Sequence, residues 1–230
     1  MVEIKSMFVD IGVKDKEAAE KLGVRPGDPI YADSKFALMA DNKVMLAKAW
    51  DDRAGVALMI ETMKAFQSAK HPNILYGVGT VQEEVGLRGA QTAVQTIAPD
   101  VGIVLETAIA GDMPGVSEDE SNIKLGGGVV IYLLDGSMVP QLRLRDLVID
   151  ICASESLPYQ ISILERGGTD GGKIHVHARG VPSIVIGVPT RYIHAHAGMM
   201  HADDYTGALK LVTALCKKLD AKTVAKLVAR

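Results

Sequence analysis

From Trp50 onward the chain alternates runs rich in Val and Ile with segments of helical period, and this alternation leaves few architectures open. Arg53 to Phe66 has helical spacing, Asn73 to Val81 (NILYGVGTV) reads as a strand ending in a polar cluster, and Gly86 to Ile97 reads as a helix. Strands are expected at Val101 to Leu105, Val129 to Leu134, Gln160 to Leu164 and Ser183 to Val188, with helices over Gln141 to Ser156, Gly171 to Ala178 and Asp204 to Leu219. Strands that are apolar on nearly every residue belong to a sheet covered on both sides. The expected fold class is therefore α/β, a mostly parallel or mixed sheet with helices on both faces. In such sheets ligands bind outside the carboxyl ends of the strands.

The first residues have a different texture. A β-like run from Val2 to Val9 precedes the helix pattern KDKEAAEKL, which Gly23 stops; the turn Arg25-Pro26-Gly27-Asp28 and β-like pieces around Ile30 and Phe36 to Met39 follow. Residues 1–47 are thus expected to form a small, mainly β module and residues 48–230 the larger α/β part.

The formal charge of −3 gives no field that would attract nucleic-acid phosphates or an anionic leaflet, and neither partner is expected. No apolar run approaches the ~20 residues of a membrane span, and MVEIKSMFVDIG lacks the pattern of a signal peptide, so a cytoplasmic chain is expected. The two cysteines, Cys152 and Cys216, have no Cys or His at ligand spacing and read as reduced and buried.

The strand ends carry the chemistry. Gln82-Glu83-Glu84 follows one expected strand, Glu106 follows another, Thr190, Arg191 and His194 follow a third, and Asp51-Asp52 opens a helix. Asp51, Glu84, Glu106 and His194 supply carboxylate oxygen and imidazole nitrogen, the donors that a borderline divalent cation takes. Adjacent acids such as Glu83 and Glu84 point to different sides at a strand end, so one can bind metal while the other serves as base. Plainer uses stand beside these. A Glu-Glu pair is commonly a solvated loop, and Asp51-Asp52-Arg53 is commonly a helix cap with a charged first turn. His71, His177 and His201 read as surface or supporting residues.

Five segments in order resemble the glutamyl/leucyl aminopeptidase and endoglucanase-like family of co-catalytic metallopeptidases, whose members form tetrahedral assemblies. They are WDDRAG (Trp50 to Gly55), VQEEVGLRGA (Val81 to Ala90), LETAIAGDMPG (Leu105 to Gly115), GGTDGGKIH (Gly167 to His175) and GVPTRYIHAH (Gly187 to His196). The resemblance implies a zinc-peptidase-like fold and hydrolytic removal of N-terminal residues from peptides. Asp51 would bridge two metals, zinc or cobalt; Glu84 and His194 would complete one site, and Glu106, where many relatives carry Asp, would bind the second metal. Glu83 would be the general base, Thr169, Asp170 and Arg191 would line the substrate side, and His175 would at most support the ligands. The front segment IGVKDKEAAEKLGVRPGD looks like the second half of the family's inserted, dimerisation-type β-rich domain.

The family pattern begins with a further His-x-Asp strand, whose His is a ligand of the second metal, whereas no histidine precedes His71 here. The resemblance therefore implies a chain shortened at its front, with one nearly complete site and half of another. Missing strands would leave open edges, so a homo-oligomer or a partner fragment is expected. Two other readings stay open: a non-catalytic or regulatory subunit of an aminopeptidase assembly, and an endoglucanase-like glycoside hydrolase. One Trp and three Phe are few for a sugar-stacking cleft.

Overall fold

The computed structural model describes residues 3–39 and 41–228, and the chain divides into two compact units, Met1–Asp33 and Ser34–Arg230. The division falls ahead of residue 47, where the texture of the sequence changes.

The first unit has a 3-10 turn, Ile4–Ser6, and a short helix, α1 (Lys16–Lys21). Asp15 caps α1, its Oδ1 accepting from the Ala18 amide at 2.9 Å, as the KDKEAAEKL pattern predicts. The expected β-like run over Val2 to Val9 is not a strand among the described residues; Val2 lies outside them. A strand needs a second main chain to pair with, and none pairs here; Met7, Phe8 and Val9 are exposed.

The second unit contains β1 (Ala37–Leu38), β2 (Val44–Ala47), α2 (Trp50–Phe66), α3 (Arg88–Ile97), β3 (Gly102–Ile109), β4 (Val129–Leu134), α4 (Leu142–Ser154), β5 (Tyr159–Ile163), α5 (Gly171–Ile174), β6 (Ser183–Arg191), β7 (Gly198–His201), α6 (Ala202–Lys218) and α7 (Ala221–Val228). The strands form one mixed sheet in the order β1-β2-β7-β6-β4-β5, with β3 on the other side of β6. Pairs β3/β6 and β4/β5 are parallel, and β1/β2, β2/β7, β6/β7 and β4/β6 are antiparallel.

Alternation along the central strands feeds two cores. Ile184, Ile186 and Val188 of β6, with Val129 and Ile131 of β4, pack against Leu58 of α2, Leu144 and Val148 of α4, and Leu211 and Leu215 of α6. Val185, Val130 and Tyr132 turn to the opposite face and join Val104, Ala108, Ile123 and Met138, with Ile174 of α5 against them. Both faces are thus covered, as near-continuous apolar strands require. Cys152 and Cys216 are free and buried.

Asn73 to Val81 departs from the expectation. The run pairs with no strand among the described residues, and Ile74 and Tyr76 are 80% and 64% exposed. It is fastened at its ends: Asn73 Nδ2 donates to the carbonyls of Cys216 and Leu219 at 2.6 and 2.9 Å, and Val81 O accepts from the Gly89 amide at 2.8 Å. The apolar pattern is that of a strand, but no main chain adjoins it to complete the ladder. The four-residue strands β2 and β7 are too short to show a period in the sequence, and the amphipathic helix α7 lies beyond the last helix expected there. Among the described residues no helix is long and apolar enough to cross a membrane.

Candidate metal centre

Three turns and one strand bring the acids and His194 together. Trp50 anchors the start of α2 by donating its Nε1–H to Gly198 O of β7 at 3.1 Å. Within the first turn of α2, Asp51 and Asp52 have non-helical backbone angles, and the bond joining them is cis. Glu83 and Glu84 lie in the turn before α3, closed by the amides of Gly86 and Leu87 donating to Glu83 O at 3.0 and 2.9 Å. Glu106 lies within β3 rather than beyond its end, paired in register with Gly187 of β6, because the strand continues to Ile109. His194 sits in the turn between β6 and β7.

The turns hold unusual backbone. Ala49, Gln82, Tyr192 and His194 have φ of 54°, 59°, 60° and 63°, a region that residues with a side chain seldom occupy. Such conformations persist where the surroundings over-determine them, and they concentrate at functional sites. Here they flank the residues that meet.

His194 Nε2 is 2.9 Å from Asp51 Oδ2 and 3.4 Å from Glu84 Oε2. Ligand atoms of Asp51, Glu84 and His194 lie within 4.8 Å of one another, and so do those of Asp51, Asp52 and Glu106. Asp51 belongs to both groups. Donors this close, from a carboxylate–imidazole set and a carboxylate set sharing one acid, fit two neighbouring divalent cations. Asp52, expected only as part of a helix cap, joins the second group, and its adjacency to Asp51 is the signal for that in the sequence. It also makes the helix-cap contact expected of this run, accepting from the Gly55 amide at 2.9 Å.

Electrostatics agree with cation binding. Burial pushes the Glu83 carboxyl up to about 7, the charges of Asp170, Glu84 and Asp51 acting in the same direction and His194 opposing them. Asp52 and Glu106 are held well above the usual carboxylate range by burial and by the surrounding acids. Burial and Asp51 also raise Glu84. A bound cation favours the ionised form of each and removes the cost of crowding them.

The residues expected on the substrate side separate. Asp170 lines the same cavity, of about 940 Å³, as Asp51, Asp52, Glu83, Glu84 and Glu106. Thr169 is buried, its hydroxyl donating to Asp135 Oδ2 at 2.7 Å. Arg191 is clamped by Asp112, through Nε at 2.8 Å and Nη2 at 2.6 Å. His175 Nδ1 is 2.8 Å from the Gly171 carbonyl, away from both groups. His71 packs its ring edge against Phe66 and meets Asn73 Oδ1 at 3.1 Å, a supporting role as expected.

Comparison with known proteins identifies the family. The family model of the M42 glutamyl aminopeptidases matches residues 1–211. The putative aminopeptidase FrvX of Escherichia coli K12 is 42% identical over 219 residues, which is 95% of this chain and 60% of that protein. The crystal structure of a TET aminopeptidase from a marine sediment archaeon, Thaumarchaeota archaeon SCGC AB-539-E09, superposes with a TM-score of 0.96 at 43% identity, over 99% of this chain and 64% of that one. The TET1 peptidase of Pyrococcus horikoshii, which can assemble into a tetrahedron or a large octahedral shell, gives 0.81 at 28% identity, over 91% and 60%. The chain therefore spans about three fifths of the length of these relatives. With the family model covering nearly the whole of it, the chain belongs to the M42 glutamyl aminopeptidase family.

Proposed function

We propose that this chain carries the reactive centre of a metal-dependent aminopeptidase, a hydrolase that removes N-terminal residues from peptides. The observation that carries the reading is the position of Asp51, one carboxylate common to two groups of ligand atoms, with Glu83 in the same cavity and outside both groups. Asp51, Glu84 and His194 would hold one divalent cation, zinc or cobalt; Asp51 and Glu106, with Asp52 beside them, would hold a second. When bound, such cations polarise a carbonyl and acidify water.

The chain's own groups do the rest. A Glu83 carboxylate oxygen takes the proton of the water that attacks the scissile carbonyl and returns it to the leaving amine nitrogen. A base whose proton affinity lies near neutrality suits both transfers. Arg191, fixed in place by Asp112, borders the substrate side, while Thr169 shapes the adjoining loop through Asp135. A cytoplasmic homo-oligomer is the setting we propose, by analogy with the assembling relatives.

A second reading, a subunit that binds one cation and does not catalyse, is favoured by one feature: the group Asp51, Asp52 and Glu106 has no imidazole. Metal analysis after zinc or cobalt reconstitution, together with hydrolysis of aminoacyl p-nitroanilides, separates the two. Hydrolysis that Glu83→Gln removes while metal content stays supports the peptidase. One equivalent of metal with no hydrolysis supports the subunit, and no metal at neutral pH overturns the site.

A further inference from the structure

The approach of 2.9 Å between Asp51 and His194 joins two segments remote in sequence. His194 stands on the turn 192–197 between β6 and β7, where Tyr192 and His194 are exposed. Within the turn Ala195 donates its amide to Tyr192 O at 3.1 Å. With so little interior of its own, the turn takes its place from what holds its flanks. At its start Arg191 is clamped by Asp112. Near its end the Ser34 hydroxyl donates to His196 O at 2.7 Å, and Gly198 then opens β7.

Gly198 is a crossing point. It pairs in register with Ala47, the last residue of β2, and its carbonyl accepts the Trp50 Nε1–H at 3.1 Å. A Cβ added at Gly198 would lie 3.0 Å from Arg191 O and 3.3 Å from the Trp50 ring, so glycine permits the close approach of the indole to this hairpin. Trp50 precedes Asp51 directly, and its ring packs against the core to which Ala54 and Leu58 of α2 contribute. The indole bond therefore ties the residue next to one ligand to the strand that follows the other. Asp52 and Glu106 are held differently. They accept from the amides of Gly55 and Thr107, and β3 pairs with β6 along its whole length.

We propose that Trp50 is a positioning residue for the group Asp51, Glu84 and His194. Its indole N–H, bonded to Gly198, sets the His194 turn at ligand distance from Asp51, so the cation affinity of this group depends on the bond and that of Asp51, Asp52 and Glu106 does not. The proposal rests on the reading of both groups as cation sites. Partners that orient a metal ligand from outside typically change affinity by about 10–100-fold. Linkage makes the effect mutual: whatever factor the indole bond contributes to zinc affinity, zinc contributes to the indole bond. A tryptophan that only fills the core has no such link to zinc.

The test uses the fact that the chain has a single tryptophan. Biosynthetic replacement of tryptophan by benzothienylalanine changes this one position, exchanging N–H for sulfur with the ring shape kept, and Trp50→Phe removes the donor genetically. Calorimetric zinc titration should show the exposed group weakened about tenfold in both forms and the buried group unchanged. In a His194→Ala background the same replacements should alter zinc affinity by less than about twofold. In the unaltered chain saturating zinc should slow exchange of the indole N–H, followed by NMR, by about tenfold, and in His194→Ala it should not. Equal losses of zinc affinity with and without His194, a lowered melting temperature with zinc affinity intact, or indole exchange indifferent to zinc would each overturn the proposal. A His194-dependent zinc site indifferent to Trp50 breaks the proposal alone. Zinc that binds His194→Ala as tightly as the unaltered chain overturns the metal-centre reading, and the proposal with it.

Discussion

The two candidate cation groups share Asp51 yet are built differently. Glu84 and His194 stand on exposed turns, with side chains 57% and 67% accessible, and one of them is an imidazole that adds no negative charge. Asp52 and Glu106 are less accessible, sit on α2 and β3, and accept main-chain N–H bonds from Gly55 and Thr107. The first group is hydrated and costs little to leave empty. The second crowds like charges where water screens them poorly, so its acids resist ionisation until a cation arrives. The same donor chemistry thus yields an accessible site and a strained one, and burial makes the difference.

Asp51→Asn should separate the groups least, because both depend on it. Zinc affinity at each is expected to fall by more than the ~100-fold that loss of a supporting partner alone costs, with hydrolysis abolished; retention of either equivalent in metal analysis would break the sharing. Glu83→Gln belongs to neither group and should lower kcat by about 10²–10⁴-fold with metal content unchanged. Metal loss in that variant would instead exchange the roles of Glu83 and Glu84. His194→Ala and Glu106→Gln should sharpen the contrast: the first is expected to weaken only the exposed group by over ~100-fold, the second only the buried one, as read by calorimetric zinc titration.

The smallest effect expected is on stability. With Glu83 raised from 4.5 to about 7, the folded, metal-free chain binds more protons than the unfolded one between those values. Its contribution is therefore full below about pH 4.5 and lost as pH rises through about 7. Melting of the metal-free chain should fall across that window, by about 2–4 °C for each kcal/mol lost, with the raised carboxyls of Asp52 and Glu106 adding to the slope, and saturating zinc should flatten it. A melting temperature that rises with pH there, without metal, would contradict the crowding of acids.

Legibility followed where the physical information resides. The helices α2, α4 and α6 and the strands β3, β4 and β6 were readable because each buries enough apolar surface to impose its own pattern, and α3 and the partly exposed β5 showed theirs in sequence alone. NILYGVGTV is apolar much as the central strands are, but among the described residues no main chain pairs with it, and pairing is not a property of one segment. The candidate ligands were readable as residue types, although only His194 follows a strand, Glu106 lying within β3 and Glu83 and Glu84 following an unpaired run. Asp52 was hidden because its cap bond to Gly55 accounts for it locally, and the enclosure of Thr169 by Asp135, far away in sequence, could not be inferred.

By itself the sequence determined the α/β class, the covered sheet and the family, and it singled out Asp51, Glu83, Glu84, Glu106 and His194 as candidates, because apolar periodicity and donor chemistry are written residue by residue. Only the tertiary structure decided that Asp51 belongs to two groups, that Arg191 is committed to Asp112, and that β3 and the run from Ile74 to Thr80 line the cavity that holds the acids. Distances between remote segments, and the desolvation that shifts a carboxyl, arise only once the chain has folded and water has been displaced.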